Sequence, residues 1–226
     1  MKILIGMPCQ SGVVPVPMVT SLLQLHKPAN CGFMVVERQR VDNARNALAM
    51  ECLTKGFDYL FFVDDDNPIP PDTLEKFLED DKDIIIPPIL ARNPKPDGKF
   101  PMCAFYAEEV VTGVGKIKLY FPIEEFRDTG YLHRIDGGGT GAMLIKRKVL
   151  EKLYKKYHNH IFEFGDISFD EIKVKGRKFK RRTMSEDCEF CERSINAGFE
   201  LWLDDRIRPI HLGALQAIQW RGYVSE

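Results

Sequence analysis

Three consecutive carboxylates, Asp64, Asp65 and Asp66, offer the clearest chemical potential in this sequence. They directly follow the apolar run 59–63, and prolines come soon after them. Because like charges this close repel one another, a cation held among the three acids would stabilise them. The segment therefore predicts a divalent-metal site. The alternative is a solvated acidic loop ahead of the helix that opens at Asp72.

Alternating apolar segments must position these acids. The run 59–63 is typical of a strand buried on both faces. Strands are also predicted at 2–7 and 31–38, and helices at 16–26 and 42–56, the second with an Asp or Asn cap. This β-α-β-α-β order predicts a parallel sheet wrapped by helices.

The loops after the first two strands are expected at the same sheet edge as the aspartates. Pro8 and Cys9 open the first loop, and Glu37 ends the second strand. In open α/β sheets, ligands bind just beyond the carboxyl ends of the strands. We therefore expect one ligand site along this edge.

The second half of the chain is less regular. Its pattern predicts a buried strand at 83–90 and a surface loop at 91–103. Two antiparallel strands are expected near 103–111 and 116–121. A last strand is expected in ELWLDD and a helix within 214–226. The expected fold class is therefore α/β, with a mostly parallel central sheet flanked by helices and a small antiparallel extension.

A glycine-rich loop and a basic segment each leave two interpretations open. Gly138 and Gly139 belong to a run that permits either close approach of a substrate or a bulge in a crowded strand. A dinucleotide fingerprint would need its glycines after the first strand, so such a cofactor is not expected. The stretch 158–184 has little periodicity and seven Lys or Arg residues from Lys173 to Arg182. It predicts either a loop that closes over an anionic substrate or a solvated, disordered face.

A helix start at 185–187 supplies a candidate base. Ser185 is a typical N-cap, and Glu186 and Asp187 follow it in the first turn. The positive end of the helix dipole is expected to keep both acids ionised. A carboxylate held in this way can accept a proton.

Composition limits the partners. The 226 residues include 32 Lys and Arg against 33 Asp and Glu, so no net field recruits nucleic acid or an anionic membrane. No apolar run is long enough for a transmembrane segment. Six scattered cysteines favour a reducing compartment, and one CxxC alone does not indicate zinc. We expect a soluble cytoplasmic protein, or one peripheral to the cytoplasmic face of a membrane.

The order of motifs resembles that of the GT-A fold glycosyltransferases, specifically family 2-like enzymes. The motifs are a first strand ending at Pro8, NARN at 43–46, VDDD at the third strand, GGGTGAMLIKR, SED and a late HLG. The resemblance spans nearly the whole chain. It implies a single domain over 1–226, with a nucleotide-binding half at 1–90 and an acceptor-binding half at 91–226.

The resemblance also implies roles for matching residues. Asp64 and Asp66, with His211, would bind the Mn²⁺ or Mg²⁺ that bridges the diphosphate of a nucleotide sugar, and Asp187 beside Glu186 would be the catalytic base. The residues implied in nucleotide-sugar binding are Pro8, Cys9, Glu37, Arg45, Asp64 and Asp65, and those implied beside the donor sugar and acceptor are Gly138, Gly139 and Thr140. The implied donor is a UDP-sugar, and the acceptor a glycan, a lipid-linked molecule or a small molecule. Transfer would invert the anomeric configuration.

Two other functions remain open. Haloacid dehalogenase-like phosphatases also place acids after a strand, and Asp204 and Asp205 could imitate their later acidic pair. In those phosphatases, however, the acidic pattern lies on the first strand, whereas the acids at 64–66 follow the third strand of this chain. The second rival is a sugar-nucleotide or glycan-binding module without turnover.

Overall fold

The computed structural model describes residues 1–112, 115–127, 129–174, 177–212 and 217–218. The helices are α1 (Val16–Gln24), α2 (Val41–Lys55), α3 (Thr73–Asp80), α4 (Arg147–Tyr157) and α5 (Glu186–Asn196). The strands are β1 (Ile3–Cys9), β2 (Cys31–Glu37), β3 (Tyr59–Val63), β4 (Ile84–Ile86), β5 (Ala104–Thr112), β6 (Gly115–Pro122), β7 (Leu132–Ile135), β8 (Gly137–Gly138), β9 (Ala142–Lys146), β10 (Gly165–Val174), β11 (Arg177–Met184), β12 (Leu201–Asp204), β13 (His211–Leu212) and β14 (Ala217–Ile218).

A mostly parallel seven-stranded sheet forms the centre, in the order β2-β1-β3-β9-β4-β12-β7. Strand β1 pairs in parallel with β2 and β3, and β12 pairs in parallel with β4. Strand β9 is antiparallel to both β3 and β4, so those two run in the same direction. A second antiparallel sheet has the order β6-β5-β8. The predicted α/β class, the central sheet and the antiparallel extension are confirmed.

The middle of the central sheet is buried on both faces because β3 and β4 are apolar at every position. In β3, Leu60 and Phe62 pack into the cluster that includes α2, α4 and α5. Phe61 and Val63 point the other way, into the cluster that includes α1 and α3. Alternation along a strand sends neighbouring side chains to opposite faces. Strand β3 therefore lies between two apolar layers, as its sequence predicts.

Two element boundaries differ from the sequence prediction for local reasons. Strand β4 ends at Ile86 because Pro87 and Pro88 follow it. Helix α2 ends at Gly56 as predicted, where the backbone adopts the left-handed conformation with φ +70°, and its start is the boundary that differs. The predicted Asp or Asn cap is wrong: the N-cap is Arg40, and Asp42 lies in the first turn, where it pairs with Arg40.

The predictions for 158–184 and for the end of the chain are partly wrong. Strands β10 and β11 form an antiparallel pair, although little regular structure was expected there. Apolar and polar residues alternate in β10 at 167–169 and at 172–174, but the pairing register shifts between Ile167 and Glu171, and β11 consists mostly of Lys and Arg. Strand β12 is followed by β13 and β14, so it is not the last strand. The predicted helix within 214–226 is wrong at 217–218, and its other residues lie outside the described ranges.

Two findings bear on the expected compartment. All six cysteines are free thiols. Within the described ranges, no helix has the length and apolar composition needed to span a bilayer. The cytoplasmic location itself stays a prediction.

Asn46 ties helix α2 to the segment that leads into β10. Its side chain donates to the Phe162 carbonyl at 2.7 Å and accepts from the Phe162 amide at 2.9 Å. The Phe162 ring stacks on Phe190 at 4.5 Å and meets the edge of Phe62 at 5.3 Å between ring centroids. This contact joins α2, β3 and α5 behind the sheet edge that carries the aspartates.

Asn46→Ala is expected to destabilise the protein by about 2 kcal/mol or more, because it leaves two buried backbone groups of Phe162 without partners. Asn43→Ala, at an exposed position three residues earlier on α2, is the matched control. Urea unfolding of both variants measures the difference. Equal stability of the two variants would contradict the importance of the Asn46 contact.

Candidate functional site

The acidic turn 64–66 lies directly beyond the carboxyl end of β3. The Asp64 amide donates to the Gly141 carbonyl at 2.8 Å, and the Asn67 amide donates to the Asp64 carbonyl at 3.3 Å. These bonds close the turn and fix it against the start of β9. The three carboxylates therefore leave a rigid strand end in different directions.

A buried arginine gathers the carboxylates of two elements. The Arg45 side chain, on α2, is 2% exposed and donates to both oxygens of Asp64 at 3.0 and 3.1 Å. Its Nε donates to Glu186 Oε1 at 3.2 Å and lies 3.7 Å from Asp187 Oδ1. The planar guanidinium suits this arrangement because its donors form a rigid fork. Arg45 thus joins the end of β3 to the first turn of α5.

The glycine-rich loop approaches the same turn of α5. Thr140 is fully buried and donates through Oγ1 to Asp187 Oδ1 at 2.9 Å. A Cβ at Gly139 would lie 3.8 Å from Asp187 Oδ2, whereas a Cβ at Gly138 would overlap Ile86 Cδ1 in the core. Packing therefore accounts for glycine at 138, while the backbone at 139 faces the acid. One oxygen of Asp187 is oriented by Thr140, and the other points to the loop.

Burial controls the protonation of Glu186, the first acid of α5. Burial, the negative charge of Asp187 and a hydrogen bond to Asp187 together raise the pKa of Glu186 to about 8, although Arg45 acts to lower it. Glu186 therefore carries a proton at neutral pH. The expectation that the helix dipole keeps both acids ionised is wrong for Glu186, because desolvation outweighs the dipole in this buried place.

The other end of the acidic turn contacts His211. Asp66 Oδ2 lies 3.4 Å from His211 Nε2, and the Leu212 amide donates to the Asp66 carbonyl at 2.8 Å. His211 Nδ1 lies 2.6 Å from the Leu90 carbonyl, an acceptor that fixes the proton on Nδ1. Burial lowers the pKa of His211. A neutral imidazole with its Nε2 lone pair beside a carboxylate is the form that binds metals.

Sequence reasoning missed Arg92, which touches both of these groups. Its Nε donates to His211 Nε2 at 3.0 Å, and its Nη2 makes an ion pair with Asp66 Oδ2. A signal existed: Arg92 follows β4, and β4 runs in the same direction as β3. Residues after parallel strands meet at one sheet edge.

The Asp66 end of the turn offers some, but not all, of the ligands that a metal ion needs. Among the described residues, no three His, Cys, Asp or Glu side chains form a ready metal group. Asp64 directs both oxygens at Arg45. However, Asp66 Oδ2 and Asn67 Oδ1 are buried and accept no hydrogen bond of regular geometry from the described residues. Asn67 Oδ1, which has no donor among the described residues, and Asp66 Oδ2, whose cation is the exposed Arg92, are oxygen ligands of the kind that a hard divalent cation prefers.

The remaining candidate residues lie at the ends of β1 and β2. Pro8 and Cys9 pair in register with Val36 and Glu37. Burial raises the pKa of the Cys9 thiol, and a hydrogen bond with Asp65 raises it further. The structure thus places Pro8, Cys9, Glu37 and Asp65 along one edge. Their contacts with a nucleotide stay a prediction.

Comparisons with known proteins bear on the fold. No protein-family model matches the sequence, and no curated protein matches it. A197 from STIV has 15% identity and a TM-score of 0.56, over 100% of this chain and 97% of that chain. S. aureus TarS 1-349 has 12% identity and a TM-score of 0.49, over 96% of this chain and 59% of that chain. Apo UDP-glucose pyrophosphorylase has 7% identity and a TM-score of 0.39, over 80% of this chain and 59% of that chain. The likeness to A197 from STIV shows a shared fold.

Glu186→Gln is expected to flatten the pH dependence of stability. In the wild type, the pKa of Glu186 rises from 4.5 to about 8 on folding, so the folded state holds a proton that the unfolded state has lost. The stability that Glu186 contributes in its protonated form is fully present below pH 4.5 and is lost as the pH rises through about 8. The free energy of unfolding should fall by up to about 1.4 kcal/mol per pH unit between these limits.

Urea unfolding across this pH range measures the difference between the wild type and Glu186→Gln. Glu200→Gln is the control, because Glu200 is exposed and pairs with Arg134 at the surface. Parallel pH profiles for wild type and Glu186→Gln would show that the side chain is ionised in the folded protein.

Proposed function

We propose that this protein is a metal-dependent glycosyltransferase, which moves a sugar from a nucleotide-diphosphate sugar, favouring a UDP-sugar, to an acceptor hydroxyl. The main support is that one turn contacts both groups the reaction needs. Asp64 reaches Asp187 through Arg45, and Asp66 contacts His211. The turn therefore holds a candidate base and a candidate cation site in fixed relation.

Asp66, Asn67 and His211 would hold the Mn²⁺ or Mg²⁺, while Asp64 stays paired with Arg45 on the other side of the turn. When bound, the cation neutralises the charge that develops on the departing diphosphate. The ends of β1 and β2, with Pro8, would receive the nucleotide. In this proposal, residues 1–90 would form the nucleotide-binding half and residues 91–226 the acceptor-binding half.

Asp187 would accept the proton of the acceptor hydroxyl. As that proton moves to Asp187, the hydroxyl oxygen bonds to the anomeric carbon, and the bond to the diphosphate breaks with its electron pair on the diphosphate. Attack from the face opposite the leaving group inverts the configuration. Thr140 holds one oxygen of Asp187, and the raised pKa of Glu186 makes that side chain the poorer proton acceptor at neutral pH, which supports Asp187 as the base. The acceptor class stays open among a glycan, a lipid-linked molecule and a small molecule.

Among the residues that the structure describes, no contact favours the phosphatase alternative. Asp204 pairs with Arg206 at 2.8 Å, and Asp205 Oδ2 lies 3.2 Å from His133 Nε2. Both acids of the supposed later pair are thus engaged in their own contacts. A binding module without turnover is separated from a transferase by experiment: with Mn²⁺ and a panel of nucleotide sugars, a transferase releases free nucleoside diphosphate from at least one donor.

Asp187→Asn is expected to lower transfer by about 100-fold or more, because it removes the base, while Mn²⁺-dependent nucleotide binding stays intact. Asp66→Ala is expected to weaken both transfer and binding by about tenfold or more. Product formation and calorimetric nucleotide titration measure the two effects. Asp97→Asn, an exposed change of the same kind, is the control. Unchanged transfer in Asp187→Asn would refute the base assignment.

Thr140→Val is expected to lower kcat by about tenfold or more and to leave donor affinity unchanged, because Val keeps the buried shape but cannot orient Asp187. Thr140→Ser retains the hydroxyl and should restore most of the rate. Steady-state kinetics and donor titration separate the two effects. Equal kcat values for the Val and Ser variants would show that the Thr140 hydrogen bond has no part in transfer.

A further inference from the structure

Arg92 contacts the two atoms that a metal ion at this site would use. We propose that Arg92 is the exchangeable cation of the Asp66–His211 pair: it neutralises the pair in the free protein, and a divalent ion binds by displacing it. This inference rests on the proposed function, since it concerns the same cation site. It makes Arg92 a determinant of metal affinity.

The two states exclude each other because they use the same lone pair. His211 Nδ1 faces the Leu90 carbonyl at 2.6 Å, so its proton is committed there. The only lone pair of the neutral ring is then on Nε2, which accepts the Arg92 Nε–H at 3.0 Å. A nitrogen lone pair cannot serve a hydrogen bond and a metal ion together. Metal binding at His211 therefore requires Arg92 to leave.

The charges around Asp66 also favour replacement of Arg92 by a divalent ion. The Asp66 side chain is 15% exposed and adjoins two further acids in its turn, so it needs a nearby cation. Arg92 supplies one positive charge to Asp66 Oδ2. A divalent ion supplies two, but it would meet repulsion from a guanidinium that stayed. Removal of the Arg92 side chain should therefore strengthen metal binding.

Arg92 can leave without disturbing the sheet. Its side chain is 58% exposed. The backbone just before Arg92 is held in place by contacts of its two preceding residues. The Ala91 amide donates to the Pro101 carbonyl at 2.8 Å, and Leu90 pairs with Met102. A long exposed side chain on a fixed backbone can turn its charged end into water. The exchange thus requires only side-chain rotation.

The test is a titration with Mn²⁺ alone, followed by the electron paramagnetic resonance signal of free Mn²⁺. Arg92→Ala is expected to bind Mn²⁺ about tenfold or more tightly than the wild type. Arg134→Ala, which removes an exposed arginine from its ion pair with Glu200, should match the wild type. The gain should disappear in the double variant Arg92→Ala/Asp66→Ala. Unchanged thermal unfolding of Arg92→Ala shows that the fold is kept.

The opposite results overturn the inference. If Arg92→Ala binds Mn²⁺ no more tightly than the wild type, or if its gain survives Asp66→Ala, then Arg92 does not compete for this site. Failure of the proposed function has a different outcome. In that case the competition is observed, but no nucleotide sugar is turned over by the wild type.

Discussion

The structure of this site depends on one buried guanidinium. Arg45 is almost fully removed from water, and it holds Asp64 from the end of β3 and Glu186 from the first turn of α5. Removal of one partner of a buried ion pair typically costs about 3–5 kcal/mol, because the other charge is left without compensation. The end of β3 and the start of α5 are therefore held in one relative arrangement, and this arrangement also positions Asp187.

The acidic turn is divided between two electrostatic roles. On one side, Arg45 contacts Asp64 and Glu186, burial raises the pKa of Glu186, and Thr140 fixes the orientation of Asp187. On the other side, Asp66 lies against a neutral imidazole and a solvent-exposed arginine. The Arg45 side chain is buried, whereas the Arg92 side chain is exposed. The two ends of the acidic turn therefore face cations in different surroundings.

Long-range contacts explain where sequence reasoning was incomplete. The Arg45–Glu186 pair joins residues 141 positions apart, and the Arg92–His211 contact spans 119 positions. Neither pairing leaves a periodic or local signal in the chain. The pKa of Glu186 has the same origin, since burial and not the helix dipole controls it. The β10–β11 pair is not evident in the sequence, because consecutive acids at 170–171 interrupt the alternation of β10 and because β11 consists mostly of Lys and Arg.

The sequence by itself determined the α/β class, the parallel arrangement of β1 to β3, the acidic turn at the end of β3 and the Ser185 cap of α5. These features depend on apolar periodicity, prolines and capping groups, which act over a few residues. Only the tertiary structure decided which acid carries the proton and which cation faces Asp66. Those outcomes depend on burial and on partners brought together by folding, and the order of residues does not encode them locally.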